Sequence, residues 1–277
     1  MGVLVAKRMF RQRLPLWTAV LPIVIATAAV TAFFSSSSSA AISWRGDYET
    51  QDWTQWGAYN VQLTSGASAV IERDTVRQGR YAARFSTPPF KASGERSRAQ
   101  IYLNAGPSYG NPGQENWFSW STMIAPGSVL ANGGWNNLTA FHHANIQNPC
   151  PAPDHFAVTN RDGSWMLRLD SWGGRVNFST CDNPYRKTWN LKRIQAGKWY
   201  DIMFHVKWSS DPRVGFVEVW INGRQVLPLV HAATLYDGDR VYLKQGYDGS
   251  GASGTTTIYN DSAVIAGNRA GAVAAFR

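Results

Sequence analysis

Short runs of β-branched and aromatic residues recur along the chain from Ile42 onward, separated by Gly, Asn, Asp and Pro, and no long stretch has the period of a helix. Runs of this kind are typical of β-strands. The clearest hairpin lies at 217–226, where Asn222-Gly223 supplies the positive φ angles of a two-residue turn. The predicted strands are 80–87, 98–104, 117–125, 135–145, 156–159, 164–171, 176–180, 199–208, 215–221, 224–229, 241–247 and 255–262.

This pattern predicts an all-β fold, a single sandwich of two antiparallel sheets that forms one domain over 42–277. The sequence has neither an internal repeat nor an interdomain linker. Hydrophobic residues make up 44% of the chain and charged residues only 16%, which is enough apolar material for a sizeable core. Disorder is therefore excluded for most of the domain.

Residues 1–41 have the pattern of a secretory signal peptide. A basic front (Lys7, Arg8, Arg11 and Arg13) precedes an apolar run at 14–34 and a small-residue exit at 35–41. We expect cleavage here and a secreted, extracellular protein with no stable membrane association. The alternative is an uncleaved anchor, because about 20 apolar residues can span a bilayer. Loss of the segment would lower the net charge from +9 to +5, and this modest excess argues against nucleic acid as a partner.

The two cysteines, Cys150 and Cys181, both fall in the exported part of the chain. An oxidising compartment favours a disulfide between them, closing a loop of about 30 residues. The histidines lack the spacing of zinc ligands, so no metal site is predicted and no cofactor is required. Asp47 and Glu49 could hold a structural calcium through their carboxylate oxygens, although a solvated strand entry explains them equally well.

Two predicted strands place ionisable residues where they could do chemistry. In 95–102, the period of two puts Arg96, Arg98 and Gln100 on one face, and two guanidiniums with an amide form an anion binder. In 138–145, the adjacent His142 and His143 must face opposite sides of the strand. A solvated strand face and a structural histidine are the simpler interpretations of each segment taken alone.

A third strand, at 242–248, has the same alternation. Tyr242, Lys244, Gly246 and Asp248 share one face, whereas Tyr247 lies on the other with Leu243 and Gln245. On its own this is also the pattern of an ordinary amphipathic strand.

Together the three segments resemble the jelly-roll polysaccharide lyases, the group that includes heparin lyase I, glucuronan lyase and the alginate lyases of similar fold. The resemblance covers most of the domain and implies a concanavalin-like β-jelly roll. It implies an enzyme that cleaves uronate-containing polysaccharides by β-elimination. The motifs that carry it are, in order, Gly46-Asp47-Tyr48-Glu49-Thr50, Gly94-Glu95-Arg96-Ser97, the segment 135–142, Gly197-Lys198-Trp199-Tyr200-Asp201, the 217–223 hairpin and Tyr242-Leu243-Lys244-Gln245-Gly246-Tyr247.

The family shares an Arg on the first of these strands, Gln-x-His on the second and Tyr-x-Lys-x-Gly-x-Tyr on the third. The resemblance implies that Arg96 binds the substrate carboxylate, that His142 is the base or neutraliser, and that Tyr247 is the third catalytic residue. The residues expected to line the cleft and bind substrate are Arg98, Gln100, Trp135, His143, Asn145, Tyr242, Lys244 and Asp248.

The chain departs from the family pattern at two positions. Ala140 stands where the family has Gln, although Gln100 or Asn145 could supply an amide from elsewhere. Asp248 stands at the second Tyr of the third motif. Either a bulge near Gly246 turns Tyr247 into the cleft, or the catalytic Tyr is absent. If the alignment is moved by one residue, His143 becomes the cleft histidine; we favour His142.

The sequence thus predicts a secreted, monomeric polysaccharide lyase acting on an anionic polysaccharide such as glucuronan, alginate or a glycosaminoglycan. The alternative is a non-catalytic carbohydrate-binding jelly-roll protein, which Ala140 and Asp248 favour. A glycoside hydrolase would need a close pair of carboxylates, and the predicted strands do not offer one. Among the 13 tryptophans, Trp135 is the best candidate for stacking on a sugar ring, since it directly precedes the histidine strand.

Overall fold

A computed structural model describes most of the chain after residue 41. The described residues are 42–57, 60–90, 96–103, 106, 110–130, 136–144, 156–159 (backbone only), 165–175, 177, 180, 185–250 and 252–277. The predicted signal segment, both cysteines, Trp135 and Asn145 lie outside these ranges. Signal cleavage and the disulfide therefore stay predictions.

Fifteen strands form the domain in the described part of the chain, with one short helix, α1, at Arg269–Val273. Two 3₁₀ turns occur at Thr54–Trp56 and Ala274–Phe276. The strands are β1 Ile42–Gly46, β2 Val61–Leu63, β3 Ser68–Glu72, β4 Ala82–Thr87, β5 Arg96–Leu103, β6 Glu115–Ile124, β7 Asn136–His143, β8 Phe156–Thr159, β9 Met166–Gly173, β10 Tyr185–Arg193, β11 Tyr200–Lys207, β12 Phe216–Ile221, β13 Arg224–His231, β14 Val241–Ser250 and β15 Thr256–Ala266.

The strands pair into two antiparallel sheets. One sheet has eight strands in the order β13-β12-β11-β6-β15-β4-β3, with β1 added alongside β15. The other has seven strands in the order β10-β9-β8-β7-β14-β5-β2. Strands distant in sequence are neighbours in both sheets, as in a jelly roll, and this confirms the predicted all-β sandwich.

Aromatic residues from the inner faces of both sheets fill the core. Phe141 of β7 packs edge-on against Phe118 of β6, with ring centroids 4.8 Å apart, and its ring centre is 5.3 Å from that of Trp208. All three side chains are almost fully buried. Because side chains alternate along a strand, the burial of Phe141 directs the next residue, His142, to the outer face of the seven-stranded sheet.

The C-terminal segment covers part of the outer face of the eight-stranded sheet. Ala272 of α1 and Ala275 pack on Trp220, Met203 and Val264 in a small second apolar cluster. The outer face of the seven-stranded sheet carries charged and polar side chains along its central strands, and the predicted site residues in the described ranges lie among them. Over the described ranges, none of the helices combines the length and apolar character needed to cross a membrane.

The sequence pattern missed β1, β2, β3 and β10. β10 is an edge strand whose only buried side chain is Leu191, so it lacks the apolar alternation on which the prediction relied. The predicted strand at 176–180 falls mainly outside the described residues.

Candidate active site

Three central strands of the seven-stranded sheet carry the predicted site residues at two positions along their length. His142 lies opposite Tyr242, whereas Arg98 and Arg96 lie opposite Asp248 and Ser250, six and eight residues farther along β14. β14 pairs with β5 on one side and with β7 on the other. Leu103, Leu243 and Phe141 point into the core, so the alternate positions on these strands share the outer face. That face carries Arg96, Arg98, Gln100 and Tyr102 from β5, Tyr242, Lys244 and Asp248 from β14, and Ala140 and His142 from β7.

His142 is held in an orientation suited to a base. Its Nδ1 lies 2.7 Å from the backbone carbonyl oxygen of His143. A carbonyl oxygen can only accept, so Nδ1 carries the hydrogen, and in the neutral ring the lone pair is on Nε2. The half-buried ring lies beside Tyr242, with ring centroids 5.2 Å apart. A base and a phenol therefore lie next to each other on the outer face of the seven-stranded sheet.

Asp248 joins the two arginines. Its carboxylate accepts two bonds from the Arg96 guanidinium, one of them from Nε at 2.6 Å, and it lies 3.3 Å from Nη2 of Arg98. The Asp248 side chain is 3% exposed, whereas that of Arg96 is 49% exposed. Because Asp248 neutralises one guanidinium charge, the three side chains together keep a net charge of +1.

An amide network continues from this ion cluster toward β2. The Oε1 of Gln62 accepts from Nε2 of Gln100 at 2.6 Å and from Nη1 of Arg98 at 3.1 Å. The prediction that Gln100 could supply an amide on this face is consistent with this placement. Gln62 was missed, because β2 is only three residues long and has no recognisable alternation.

Lys244 occupies the centre of the face. Its backbone pairs with Tyr102 on one side and Ala140 on the other, and its side chain is buried, with Nζ 5.5 Å from the centre of the Tyr242 ring. Ala140 stands where the family motif has Gln, so its side chain offers no hydrogen-bonding group next to Lys244. Tyr102, which also packs edge-on to Tyr242, was not predicted as a site residue.

The expectation that a bulge turns Tyr247 into the cleft is wrong. The pairing of β14 with β7 does shift between Gln245 and Asp248, and Gly246 has φ +109°. A Cβ at Gly246 would lie 2.4 Å from the carbonyl oxygen of Ala99, so only glycine fits there. The pairing with β5 stays regular, however, and keeps Tyr247 opposite Ala99 on the inner face.

Tyr247 is fully buried, and its hydroxyl donates to Oδ1 of Asn136. Burial, together with the nearby Asp248 charge, raises the pKa of the phenol well above its ordinary value. A buried phenol with a raised pKa can neither reach a substrate on the outer face nor act as a base. The phenol that the structure places beside His142 is Tyr242.

His143 follows His142 at the end of β7, and strand alternation points it away from the outer face. Its ring nevertheless lies close to that of His142, with centroids 4.2 Å apart. His142 is therefore distinguished from His143 by the hydrogen bond of its Nδ1, which directs the Nε2 lone pair to act as the base, and not by the position of its ring.

The carboxylates of Asp47 and Glu49 are engaged with N–H donors. Asp47 accepts from the side-chain amide of Gln55 at 2.8 Å, and Glu49 accepts from the backbone N–H groups of Arg80 and Tyr81 at 2.8 and 3.0 Å. No group of three or more His, Cys, Asp or Glu side chains within the described ranges is arranged to hold a metal ion. The structural calcium stays a prediction without support from this geometry.

A sequence model of the polysaccharide lyase family matches residues 48–264. The chain belongs to this family. The match runs from the segment before β2 into β15, so it includes all the strands that form the outer face described above. A search of the curated proteins found no match to the sequence.

Solved structures of similar fold agree with the family assignment. The crystal structure of endo-β-1,4-glucuronan lyase from the fungus Trichoderma reesei is 18% identical, with a TM-score of 0.68, and the similarity covers 82% of this chain and 96% of that one. The cellulose-induced protein Cip1 is 11% identical, with a TM-score of 0.52, covering 81% and 97%. At these identities the likeness establishes the jelly-roll fold of the polysaccharide lyase family.

Proposed function

We propose that the protein is a secreted polysaccharide lyase that cleaves a uronic-acid-containing polysaccharide by β-elimination. The observation that carries the proposal is the placement of an oriented His142 beside Tyr242, with Lys244 next to the same Tyr242 ring, on a sheet face that also carries the arginine cluster. Family membership and the fold shared with a glucuronan lyase support a lyase chemistry. Glucuronan, alginate and glycosaminoglycans are the candidate substrates.

β-Elimination needs the carboxylate charge of the uronate to be offset. The proton on C5 is too weakly acidic while the neighbouring carboxylate keeps its full negative charge. Hydrogen-bond donors that stabilise the developing enolate dianion lower this barrier, as an oxyanion hole does. We assign this role to Lys244, whose Nζ lies 5.5 Å from the centre of the Tyr242 ring beside His142. Arg98 and Arg96 lie opposite Asp248 and Ser250, at least six residues or roughly 20 Å along β14 from Tyr242. We therefore assign these arginines, with the amides of Gln62 and Gln100, to the carboxylates of other rings of the polymer.

His142 and Tyr242 then move the proton. Nε2 of His142 removes the C5 proton, the electron pair forms the C4–C5 double bond, and the bond from C4 to the glycosidic oxygen breaks. The Tyr242 hydroxyl protonates that leaving oxygen, and the proton held by His142 restores the phenol. The products are a new chain end and an unsaturated uronate. Lys244, next to the Tyr242 ring, favours the transient phenolate.

The test is an ultraviolet assay for the unsaturated uronate with the purified protein and a panel of glucuronan, alginate and glycosaminoglycans. We expect absorbance to rise with at least one polyuronate and to stay constant with a neutral glucan. A correctly folded protein that leaves every polyuronate intact would contradict the proposal. Calorimetric binding of a polyuronate without product would select the non-catalytic carbohydrate-binding alternative.

We also propose that the mature protein begins near residue 42, is exported and acts as a monomer. The basic, apolar and small-residue pattern of 1–41 supports cleavage and export. Amino-terminal sequencing of the protein recovered from the culture medium tests the cleavage, and sedimentation tests the monomer. Recovery only in the membrane fraction, with residue 1 intact, would indicate the anchor instead.

A further inference from the structure

A second cationic group lies on the same outer face, two strands away from His142. In β9 and β10, Trp172 pairs with Arg186, and the Arg186 guanidinium lies over the Trp172 ring at 4.6 Å from its centre. Trp172 is half-buried and Arg186 is exposed. An arginine resting on an indole is held in place at little entropic cost, while its N–H donors still point to solvent.

The sheet register places this pair in line with the candidate active site. Phe141 pairs with Phe156, and Phe156 pairs with Ser171. The residues that follow, His142 on β7 and Trp172 on β9, therefore lie in one row across the sheet. Ser171 donates to a buried backbone carbonyl, which confirms that Trp172, its neighbour, faces outward. Within this row, two strand spacings separate His142 from Trp172 by about 10 Å.

Neighbouring side chains extend the polar character of this region. On the same face of β9, Nε of Arg168 donates to Asn190 at 3.0 Å, and Asp170 accepts from Thr188 at 2.6 Å. Arg168 and Arg186 carry two positive charges and Asp170 one negative charge, so these three side chains have a net charge of +1.

We infer that Trp172 and Arg186 form a distal subsite that binds a sugar carboxylate of the polymer at a distance from the bond that is cleaved. The inference rests on the proposed function, because it takes the polyuronate as ligand and His142 as the point of cleavage. A chain that crosses the strands places one ring at His142 and a later ring over β9 and β10. There Arg186 binds its carboxylate and Trp172 supplies the apolar floor.

The test compares Arg186→Gln with Arg224→Gln, which removes the same charge from an exposed position on the eight-stranded sheet. We expect Arg186→Gln to raise KM for the long polymer about five- to tenfold at unchanged kcat, the size of one lost charge-assisted contact. Oligosaccharides too short to extend from His142 to β9 lack this contact, so their KM should not change. Trp172→Leu should act in the same direction, and Arg224→Gln should have no effect.

Equal KM values for Arg186→Gln and Arg224→Gln on the polymer would overturn the subsite while leaving the lyase intact. A loss that is as large on the shortest substrate would also overturn it. If the wild type forms no product, calorimetric titration with the polymer replaces the kinetics. Binding weakened by Arg186→Gln but not by Arg224→Gln would then support the subsite without the lyase, and binding equal in the two variants would overturn both.

Discussion

Asp248 sets the charge of the arginine cluster, because it pairs with both Arg96 and Arg98. Replacing it with asparagine keeps the shape and raises the net charge of the three side chains from +1 to +2. We predict that Asp248→Asn binds polyuronate several-fold more tightly at low ionic strength and that this gain disappears as salt is added. Isothermal titration at two salt concentrations measures the effect.

Asp211→Asn is the matched control, since Asp211 also pairs with an arginine, Arg213, but in an exposed loop. It should leave the affinity unchanged. Weaker binding by Asp248→Asn would show that Asp248 mainly holds Arg96 in position, and it would contradict the charge argument.

Gln245 is a buried amide without hydrogen bonds. It is 1% exposed, and neither its Oε1 nor its Nε2 has a partner; its cross-strand neighbour Thr139 also has a hydroxyl without one. An unsatisfied buried amide costs stability, so Gln245→Met should raise the free energy of unfolding by about 1–2 kcal/mol. Denaturant unfolding measures this. A destabilised variant would indicate that a bound water satisfies the amide.

At the level of single residues, alternation from the sequence correctly grouped Arg96, Arg98 and Gln100, and also Tyr242, Lys244 and Asp248. It placed Tyr247 on the opposite side, and the structure keeps it there. The bulge at Gly246, one of the two alternatives that the sequence left open, does not reverse this. A sequence can show that a glycine permits a bulge, but which partner strand shifts depends on packing across the sheet.

At the level of elements, β15 ties the segment before β4 to the eight-stranded sheet through Asp261. Oδ2 of this fully buried carboxylate accepts from the backbone N–H groups of Arg77 and Gln78, at 2.8 and 3.1 Å. The Arg77 guanidinium in turn binds Asp201 of β11. Burial raises the pKa of Asp261 from 3.8 to about 6, against the lowering effect of these N–H donors.

This raised pKa gives a pH dependence with a definite sign. The folded protein binds the proton of Asp261 more tightly than the unfolded chain, so the contribution of Asp261 to stability is greatest below about pH 4 and falls as pH rises through about 6. Asparagine does not titrate. We predict that the stability of Asp261→Asn relative to the wild type increases by roughly 2–3 kcal/mol between these limits.

Urea unfolding of both proteins at about pH 4 and about pH 7.5 measures the difference. Asp211→Asn serves as the control, because the pKa of Asp211 is lowered to about 2 by its hydrogen bonds with Arg213 and lies below this window. A constant difference between Asp261→Asn and the wild type across the range would contradict the assignment.

Strands with large buried side chains were predictable, whereas three of the four strands at the sheet edges, β2, β3 and β10, were missed. β6, β7, β11 and β14 carry large buried side chains at regular spacing, and all four were predicted. β10 is mostly exposed and has no apolar alternation, so neither this strand nor the position of Arg186 was predicted. Its pairing with Trp172 depends on the sheet register, which a single sequence does not specify.

At the scale of the whole molecule, the two outer faces of the sandwich carry different side chains. The C-terminal segment covers part of one face with an apolar cluster, and the other face carries the histidine, the arginine cluster and the tyrosines. The sequence predicted the two sheets, but strand order decides which sheet presents the site. That order brings β5, β14 and β7 together although they are far apart in the chain.

The measurement that tests this account most directly is the rate of unsaturated uronate formation by the wild type, His142→Ala and His231→Ala on the preferred polyuronate. His231 lies on β13 of the other sheet, so its substitution is a matched control. Loss of a positioned general base should lower kcat for His142→Ala by about 100-fold or more, with folding and polymer binding retained. His231→Ala should match the wild type. Full activity of a folded His142→Ala would contradict the assignment of His142 as the base and with it the proposed mechanism.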